Sequence, residues 1–575
     1  MVATAPTKAV ASFHVARGAS APDLAYFRQR YPETVTNLGV LPRREEWLRR
    51  IWELETRWQA VWETRGGKAL VQEAVVRGTP PAGREAESEF EVIYAGGAAA
   101  LLHAATLACA HGRRVLVLCA DAEGSDGGNW NLSDAELRGL ESSGLFTREE
   151  VEASVVNRYR GGFVKFHDAS SRVKAEPLWV SGSLDVAVDG ERLTALAAEK
   201  LRRRGPKGCA VVEGLRFVRA YVEDGRVTVE AAGPHEARRF FAARLFVDAG
   251  GADSTVARQL NGGRAPSHVR TSVGTVARGF ARGEGRDAAD FGVGEIVVST
   301  EDASAHRQLL WEGFAGSPAR GEYTTRLFFY DSVESPADKS LLALFERYFE
   351  SLPAYKRRGA GWRVERPVFG YAPAARNAWR SRVRTADERV MLLGDAAGGA
   401  GALAAGGAGA RDLRRVARLT HLALEADMTD ADSLAQLCEA GPRVARAVGL
   451  AEFMRPAPKS APWSVNETLN ALMAALGGLD ERVRRELLQG RMTLGALRRL
   501  LARTVRLYPR IFARVREHFG ARGTLWWIAG VAEAVWSERR SRAAAARGGD
   551  YASEDPAREF ARLAASYGDG AGDTL

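Results

Sequence analysis

In the first 88 residues, apolar and polar side chains alternate with the period of an α-helix. In the stretch EEWLRRIWELETRWQAVWE, apolar side chains recur at alternating spacings of four and three residues, which is typical of an amphipathic helix packed on a core. The Gly-Thr-Pro-Pro-Ala-Gly run at 78–83 then breaks the period and predicts a boundary. We therefore expect an N-terminal helical segment at 1–88. The apolar positions of its main helix are Trp47, Ile51, Leu54, Trp58 and Val61.

From Phe90 the pattern becomes strand, glycine turn, helix and strand. The stretch FEVIYAGGAAALLHAATLACAHGRRVLVLCADAEG contains two apolar runs, VIYA and VLVLCA, with little alternation, as expected for parallel strands that are buried on both faces. Farther along, GLRFVRAYVEDGRVTVEAAG alternates on both sides of Asp224 and Gly225 and predicts two antiparallel strands around a tight turn. These stretches predict the first part of an α/β domain at 89–265.

Three further changes of pattern divide the rest of the chain. A second β-rich region, with the runs VGTVARGF, GEIVVST and TTRLFFY, predicts a separate sheet at 266–365. The stretch ERVMLLGDAAGGAGALAAGGAGARDLRRVARL predicts a return to the α/β domain at 366–428, through a strand, a glycine-rich turn and a helix. The remaining residues, 429–575, are rich in arginine and have a helical pattern, which predicts a helical C-terminal cap.

Composition and charge exclude several classes of protein. A chain of 575 residues is too long for one hydrophobic core, so we expect two or three domains. The net charge of +10 comes mainly from arginine, and because no RNA- or DNA-binding module is recognisable we expect no nucleic-acid partner. The nine histidines show no metal spacing and the four cysteines form no C-x-x-C pair, so we expect no metal. Without a signal-peptide pattern or an apolar run of about 18 residues, we expect a cytoplasmic protein that does not cross a bilayer.

The glycine turn after the first strand occupies the place of a dinucleotide-binding loop. Alignment of the strand VIY puts Ala95, Gly97 and Ala100 at the three fingerprint positions, with Gly96 between the first two, where glycines normally make a tight turn, admit pyrophosphate and let the helix pack closely. Alanine is well tolerated at the third position, whereas a methyl group at the first position is a departure. The acid that usually binds the ribose is replaced by Cys119, and Asp121 and Glu123 just beyond it are candidate substitutes. Taken alone, this stretch leaves nucleotide binding and a plain βαβ unit both open.

Two later strand ends favour a flavin site. Asp248 follows the apolar run LFV, with Gly251 shortly after it, and Gly394 and Asp395 end the run VMLL. An aspartate at such a strand end can accept hydrogen bonds from ribityl hydroxyls, while the N–H groups at a following helix start face pyrophosphate. The order βαβ, DxxG and GDA is more specific than any one of the three pieces. It predicts FAD binding by Gly96, Gly97, Ala100, Asp248, Gly251, Gly394, Asp395, Gly406 and Gly407.

A series of less common motifs follows in order along the chain. They are NWNLSDAEL (129–137), VGTVARGF (273–280), LLWEGFAG (309–316), EYTTRLFFY (322–330), RYFESLPAYK (347–356), VFGYAP (368–373) and GDAAGGAGALAAGGAGA (394–410). On these residues the sequence resembles the Cru-type lycopene cyclases and their paralogues, within the flavin-dependent group that includes aromatic hydroxylases, geranylgeranyl reductases and carotenoid cyclases. The last motif departs from the family, which usually has proline, serine and an aromatic residue where this chain has Ala402, Ala404 and Ala405.

The resemblance implies a fold, a cofactor and a substrate. The fold is α/β: a glutathione-reductase-type, FAD-binding, Rossmann-like domain with an inserted antiparallel β-sheet substrate domain and a helical C-terminal cap. The cofactor is FAD, acting in its reduced form, with NAD(P)H as a candidate reductant. The implied activity is the redox-neutral, proton-initiated cyclisation of the ψ-ends of lycopene or a related acyclic carotenoid.

Cyclisation adds a proton to a terminal double bond, passes through a tertiary carbocation and loses a proton, so the site needs an acid and electron-rich surroundings. An apolar setting raises the pKa of a carboxyl, and Glu312, between Trp311 and Phe314, is the predicted acid. Glu322 and Asp331 are second choices. The alternative for Glu312 is a surface carboxylate between two core aromatic residues. The predicted substrate-binding residues are Trp130, Asn131, Trp311 and Phe314.

The arginine-rich C-terminal region has Leu, Ile, Phe and Trp between its arginines, and such a mixture predicts helices that rest on an anionic membrane surface. A solvated, arginine-rich face over an ordinary helical cap is the alternative. Since lycopene dissolves in bilayers, we expect the protein on the inner face of the membrane. Two other functions stay open: an FAD/NAD(P)-dependent oxidoreductase acting on another isoprenoid or lipid, and a non-catalytic carotenoid-binding paralogue with a degenerate flavin site.

Overall fold

The computed structural model describes most of the chain. The described residues are 21–63, 73–120, 128–263, 266–374, 384–398, 410, 412–438, 450–457, 459–489, 492–545 and 555–565.

The strands form three sheets, and their order along the chain supplies their numbers. They are β1 (Val75–Arg77), β2 (Ser88–Gly96), β3 (Val115–Cys119), β4 (Asn129–Leu132), β5 (Val155–Arg158), β6 (Gly161–Lys165), β7 (Leu178–Val180), β8 (Val186–Asp189), β9 (Ala210–Glu213), β10 (Arg216–Glu223), β11 (Arg226–Ala232), β12 (Arg238–Ala249), β13 (His268–Phe280), β14 (Val293–Val298), β15 (Leu310–Ala315), β16 (Tyr323–Ser332), β17 (Arg358–Ala374), β18 (Ala386–Asp387) and β19 (Val390–Leu392).

The helices within the described residues cover the sheets and make up the C-terminal part. They are α1 (Leu24–Arg30), α2 (Pro32–Leu38), α3 (Arg44–Trp62), α4 (Ala98–His111), α5 (Asp134–Ser142), α6 (Arg148–Glu152), α7 (Gly190–Arg204), α8 (Thr255–Leu260), α9 (Leu341–Tyr355), α10 (Leu413–Glu425), α11 (Ala431–Cys438), α12 (Leu450–Phe453), α13 (Ser464–Gly477), α14 (Glu481–Leu488), α15 (Leu494–Leu507), α16 (Ile511–Ala545) and α17 (Pro556–Ala565).

The first sheet has a parallel centre, as the unalternating apolar runs predict. Its strand order is β1-β10-β11-β12-β2-β3-β9, and β19 lies beside the end of β12. β2 is parallel to both β3 and β12, and β12 is parallel to β19. The predicted hairpin around Asp224 and Gly225 is confirmed, since β10 and β11 pair antiparallel on either side of this turn. β12 therefore pairs with the hairpin strand β11, with β2, and with β19, which comes much later in the chain.

The second sheet is larger than the predicted insertion. Its order is β17-β13-β16-β15-β14-β6-β7. The strands β13 to β17 pair antiparallel as expected, but β6 joins β14 in parallel and brings β7 with it. β6 and β7 precede residue 266 in the chain, so the sheet draws strands from both sides of the hairpin. We call it the substrate sheet.

One face of the substrate sheet is covered and the other is partly open. The covered face packs on α9, where the Tyr348 hydroxyl forms hydrogen bonds with Thr275 Oγ1 (2.7 Å) and Thr325 Oγ1 (2.6 Å). On the other face Ser272 and Gly370 keep partial exposure, and a Cβ atom built on Gly370 would meet no atom within 4 Å. We call this side the open face.

Helices α1 to α3 confirm the predicted N-terminal helical pattern and are joined to α9 by two carboxylates. Glu346 of α9 accepts hydrogen bonds from the backbone N–H groups of Glu33 and Thr34, both at 2.9 Å. Glu55 of α3 accepts one from Leu342 N at 3.2 Å. Glu346 thus binds N–H groups at the start of α2, and Glu55 binds one at the start of α9. The helix dipole favours negative charge at both places.

Glu55 is expected to make this joint sensitive to pH. Burial raises the pKa of its carboxyl to about 7, against the opposing effect of the Leu342 N–H group. The folded state holds the Glu55 proton more tightly than the unfolded chain does. Protonated Glu55 therefore stabilises the fold at low pH, and this contribution to the free energy of unfolding, about 3 kcal/mol at most, is lost as the pH rises through 7. The Glu55→Gln variant should therefore gain thermal stability relative to the parent protein at pH 8 but not at pH 5.

Thermal unfolding of the parent protein and the variant at both pH values measures this effect. Glu53→Gln, an exposed change on the same helix, is the matched control and should show no such pH-dependent difference. An equal change in the midpoint for Glu55→Gln at both pH values would contradict the assignment.

The C-terminal helices α13 and α14 contact β7 of the substrate sheet, and α15 packs on α13. Leu469 of α13 and Leu497 and Leu500 of α15 belong to the same buried cluster as Val273 and Leu327 of the sheet. None of the helices in the described part of the chain has the length and apolar character that crossing a bilayer requires.

Candidate functional site

Three strand ends meet at one edge of the first sheet. Asp248 near the end of β12 lies opposite Ala95 of β2 on one side and Leu392 of β19 on the other. Since parallel strands end on the same side, the loops that follow them converge. The three pieces that the sequence predicted to form one flavin site are therefore neighbours in space.

The tight turn after β2 is made by Gly96. Its φ angle is +139°, and a Cβ atom on it would lie 2.3 Å from Ala249 O. Ala95 still belongs to β2 and is buried in the core. The expected conflict between the Ala95 methyl group and the turn is therefore wrong, because the turn begins one residue later.

Gly97 leaves the start of α4 open. It is the N-cap residue of this 14-residue helix and supplies no side-chain cap, and a Cβ atom on it would meet nothing within 4 Å. The N–H groups of the first turn therefore face accessible space, which suits a pyrophosphate. Ala100 is fully buried beneath them, at the position where a small residue lets the helix approach the sheet.

Cys119 ends β3 without supplying a carboxylate. Its thiol donates a weak hydrogen bond to Gly96 O, with a sulfur–oxygen distance of 3.6 Å. Burial raises the pKa of this thiol, and the nearby Glu213 carboxylate raises it further. The neutral thiol thus supports the turn, and Glu213 is the neighbouring acid at the end of the adjacent strand β9.

Asp248 is committed to its own loop. One carboxylate oxygen accepts from Gly250 N at 2.7 Å and the other from Ser254 Oγ at 2.6 Å. Burial raises the pKa of this carboxyl, while these two hydrogen bonds act in the opposite direction. Gly251, with a φ of +71°, lies in the turn so formed. In this geometry Asp248 shapes the loop, and its predicted contact with a cofactor stays a prediction.

The Gly-Asp-Ala-Ala turn lies next to the start of α4. Gly394 has a φ of +64°, and a Cβ atom on it would lie 3.5 Å from the Ala99 side chain. Asp395 is exposed on the following 3-10 turn. Gly406 and Gly407, together with Ala402, Ala404 and Ala405, lie outside the described residues. The open helix start, the close glycine approach and the exposed carboxylate fit a dinucleotide cofactor, whereas the end of β3 lacks the usual ribose acid.

Glu312 lies on the open face of the substrate sheet in a group of charged and aromatic residues. Its carboxylate is 2.6 Å from Arg270 Nη2 and 3.9 Å from Arg326 Nη1. The Arg270 guanidinium also lies over the Phe328 ring, 3.9 Å from its centre, and Tyr330 is opposite Arg270 in the register. A charged guanidinium thus lies in ion-pair contact with Glu312, so the expected purely apolar setting for Glu312 is wrong.

Phe314 and Trp311 do not share a face. Successive residues of a strand point to opposite sides, so Phe314 accompanies Glu312 on the open face. Trp311 is 1% exposed and stacks on Tyr355 of α9, with ring centres 4.4 Å apart. The prediction that two aromatic neighbours flank the Glu312 carboxylate therefore holds for Phe314 only.

The two second-choice carboxylates lie elsewhere. Glu322 is 3.1 Å from Arg278 Nη2, just before β16. Asp331 is buried on the covered face and pairs with Lys339 Nζ at 3.0 Å. Neither joins the group around Glu312.

Trp130 and Asn131 belong to a small third sheet of β4, β8 and β5. Asn131 Oδ1 accepts a hydrogen bond from the Tyr159 hydroxyl at 3.0 Å, and this hydroxyl also lies 2.6 Å from Ala315 O at the end of β15. The Trp130 ring fills the space above Gly190, where a Cβ atom would come within 2.5 Å of it. The motif therefore connects the third sheet to the substrate sheet.

The residues that sequence reasoning missed are those that surround Glu312. Arg270, Arg326, Phe328 and Tyr330 occupy alternate positions of β13 and β16 and so share one face. The alternating pattern of these two strands was visible in the sequence. The register in which β13, β16 and β15 pair, which brings these side chains to Glu312, was not. No group of three or more His, Cys, Asp or Glu residues that could hold a metal ion occurs in the described ranges.

Comparison with known proteins gives structural neighbours only. No protein-family model matches the chain, and no curated protein sequence matches it. The chain is similar to the halogenase PltM in complex with phloroglucinol and FAD, with a TM-score of 0.50, 14% identity, and coverage of 82% of this chain and 94% of that chain. A geranylgeranyl bacteriochlorophyll reductase-like protein from Thermoplasma acidophilum also matches, with a TM-score of 0.49, 14% identity, and coverage of 75% and 99%.

The likeness to the halogenase PltM and the sheet topology agree on the fold. A parallel-centred sheet with a β-hairpin, a second sheet and a helical C-terminal part is the arrangement predicted from the sequence. The predicted fold class is confirmed, and the chain shares the α/β fold of the halogenase PltM.

Proposed function

We propose that this protein is a flavin-dependent enzyme that binds FAD where β2, β12 and β19 end, and that it cyclises the ψ-ends of lycopene or a related acyclic carotenoid. The fold, the open start of α4 and the series of cyclase-like motifs support the proposal. The single observation that carries the reaction is the placement of Glu312, with Phe314 and Phe328, on the partly open face of the substrate sheet.

Several described residues would hold the cofactor. The N–H groups after Gly97 would bind the pyrophosphate, and Asp395 would accept hydrogen bonds from the ribityl chain. Gly394 and Gly96 keep the backbone close enough for both loops to contribute. When bound in its reduced form, FAD supplies an electron-rich ring that stabilises positive charge nearby.

Glu312 would exchange the proton. As a carboxylate beside Arg270, it accepts the proton that leaves the newly closed ring, and the protonated form then delivers a proton to the terminal double bond of the next ψ-end. One proton is gained and one is lost in each cycle, so the reaction is redox-neutral. The ring of Phe314 would stabilise the carbocation between these two steps.

Production of the protein in a lycopene-accumulating host tests the proposal. We expect cyclic carotenes to form without stoichiometric consumption of NAD(P)H, beyond what keeps the flavin reduced. If the purified protein contains reducible flavin but the host accumulates only lycopene, the cyclase assignment is wrong.

A second candidate function is favoured by the two arginines on the open face. Arg270 and Arg326 both lie within 4 Å of the Glu312 carboxylate, and guanidinium groups bind carboxylates and phosphates well. This arrangement suits a flavin-dependent oxidoreductase that acts on an isoprenoid or lipid with an acidic group. NAD(P)H consumption in proportion to such a substrate would support this function over cyclisation.

A further inference from the structure

The C-terminal helices carry most of the large apolar side chains that are exposed in the described part of the chain. Of seven such side chains, two are Val40 and Trp179, and the other five lie within residues 507–536. The five are Leu507 (49% exposed), Phe512 (65%), Leu525 (69%), Ile528 (53%) and Trp536 (58%).

These side chains lie on two adjacent stretches of helix. Leu507 is the last residue of α15 and Phe512 is the second residue of α16, so they flank one corner between the two helices. Beyond the kink at Gly520, Leu525 and Ile528 are three residues apart and share a helix face. The inner side of this second stretch is packed, since Val531 lies against the core cluster of the substrate sheet.

The same segment is strongly basic. Residues 493–536 contain eight arginines and two acids, Glu517 and Glu533. Glu517 is paired with Arg514, and Arg499 is paired with Asp480. The exposed arginines of the segment are Arg498, Arg499, Arg503, Arg506, Arg510, Arg516 and Arg522.

We propose that this surface, which we call the basic apolar face, docks on an anionic lipid bilayer. It comprises Leu507, Phe512, Leu525 and Ile528 with the exposed arginines around them. The apolar tips would enter the boundary between headgroups and acyl chains, and the guanidinium groups would bind lipid phosphates.

Charge and chemistry favour a bilayer over other occupants. A second copy of the chain would bring the same positive face into contact with itself, which costs energy through like-charge repulsion. Nucleic acid would satisfy the arginines but would leave large apolar tips without an apolar partner. An anionic bilayer satisfies both features of the surface at once.

The basic apolar face is also connected to the substrate sheet through α13, which contacts both α15 and β7. The inner side of α15 contributes Leu497 and Leu500 to the buried cluster that contains Val273 of the sheet. Docking would therefore hold the sheet, with Glu312 on its open face, close to the bilayer. The docking inference itself does not depend on which reaction the site catalyses.

Vesicle flotation with the full chain tests the inference. Phosphatidylcholine vesicles with and without phosphatidylglycerol are the probes, and we expect binding to the anionic vesicles that falls as salt increases. Leu507→Ser combined with Phe512→Ser should weaken binding by about tenfold through the loss of apolar contact. Arg506→Glu combined with Arg510→Glu should weaken it at least tenfold, at about 1 kcal/mol per charge.

Matched variants elsewhere on the surface complete the test. Val40→Ser and Trp179→Ser remove exposed apolar side chains outside the face, and Arg148→Glu reverses an exposed charge. These variants should float like the parent protein. Equal loss in all variants, no binding to anionic vesicles, a concentration-dependent dimer broken by the face variants, or binding to nucleic acid in preference to vesicles would each overturn the proposal.

Discussion

Replacement of Glu312 by glutamine is expected to abolish cyclisation while leaving the flavin bound. Glutamine keeps the size of the side chain and an oxygen that Arg270 can still bind, but it can neither accept nor release the proton. General acid–base catalysis typically contributes a factor of about 10² to 10⁴, so product should fall by at least this factor. The measurement is the amount of cyclic carotene formed per flavin-containing enzyme.

Glu365→Gln is the matched control for this change. Glu365 is another ion-paired carboxylate on the substrate sheet, 2.9 Å from Arg363 Nε and 3.4 Å from Arg278 Nε, and it lies outside the Glu312 group. This variant should cyclise normally. Retained activity in Glu312→Gln would exclude Glu312 as the proton-exchanging residue, and loss of activity in Glu322→Gln alone would move the role to Glu322.

The largest expected effect on the cofactor site comes from Gly96→Ala. The added methyl group would lie 2.3 Å from the oxygen and 2.6 Å from the carbonyl carbon of Ala249, and neither backbone atom can turn away as a side chain could. The φ of +139° adds strain of about 1 to 3 kcal/mol. We expect β2 and β12 to separate at their ends, with loss of bound flavin and a clear fall in thermal stability.

Gly97→Ala separates cofactor binding from folding. Its φ is −94°, and its methyl group would enter open space, so the protein should fold as before. That same space is where pyrophosphate would approach, and flavin affinity should therefore drop. Flavin absorbance after purification and the thermal midpoint together give the result. Unchanged flavin content in Gly97→Ala would place the cofactor elsewhere.

Gly361→Ala is the control for the replacement of a glycine by alanine. Gly361 on β17 also faces open space, and it lies outside the loops that converge at the candidate site. Gly361→Ala should therefore keep both flavin content and stability.

The local parts of the fold were predictable because their signals are local. The unalternating runs around Val92 and Val117, the turn at Asp224 and Gly225, and the helical spacing of the tryptophans each depend on residues close in sequence. The pairing of β6 with β14 joins residues about 130 positions apart, and no local pattern encodes it. The substrate sheet was therefore predicted without two of its strands.

The candidate site shows the same division. The order of the three strand ends predicted that Gly97, Asp248 and Gly394 belong together, because parallel strands place their ends on one side. The partners of Glu312 were not predictable, since Arg270 reaches it across β16 and only the register fixes that contact. Whether Ala95 lies in the strand or in the turn depends on where the backbone turns, and this point is set by Gly96.

The position of β12 sets the order in which the molecule can be completed during synthesis. Its final residues pair with β2, about 150 positions earlier, and with β19, about 140 positions later. A nascent chain that has not yet reached residue 390 has the helix start at Gly97 but lacks β19 and the turn at Gly394 that follows it. Because such distant pairings form late, we expect a ribosome-bound fragment that ends before residue 390 to retain little flavin, so cofactor loading would wait until the turn at Gly394 has been synthesised.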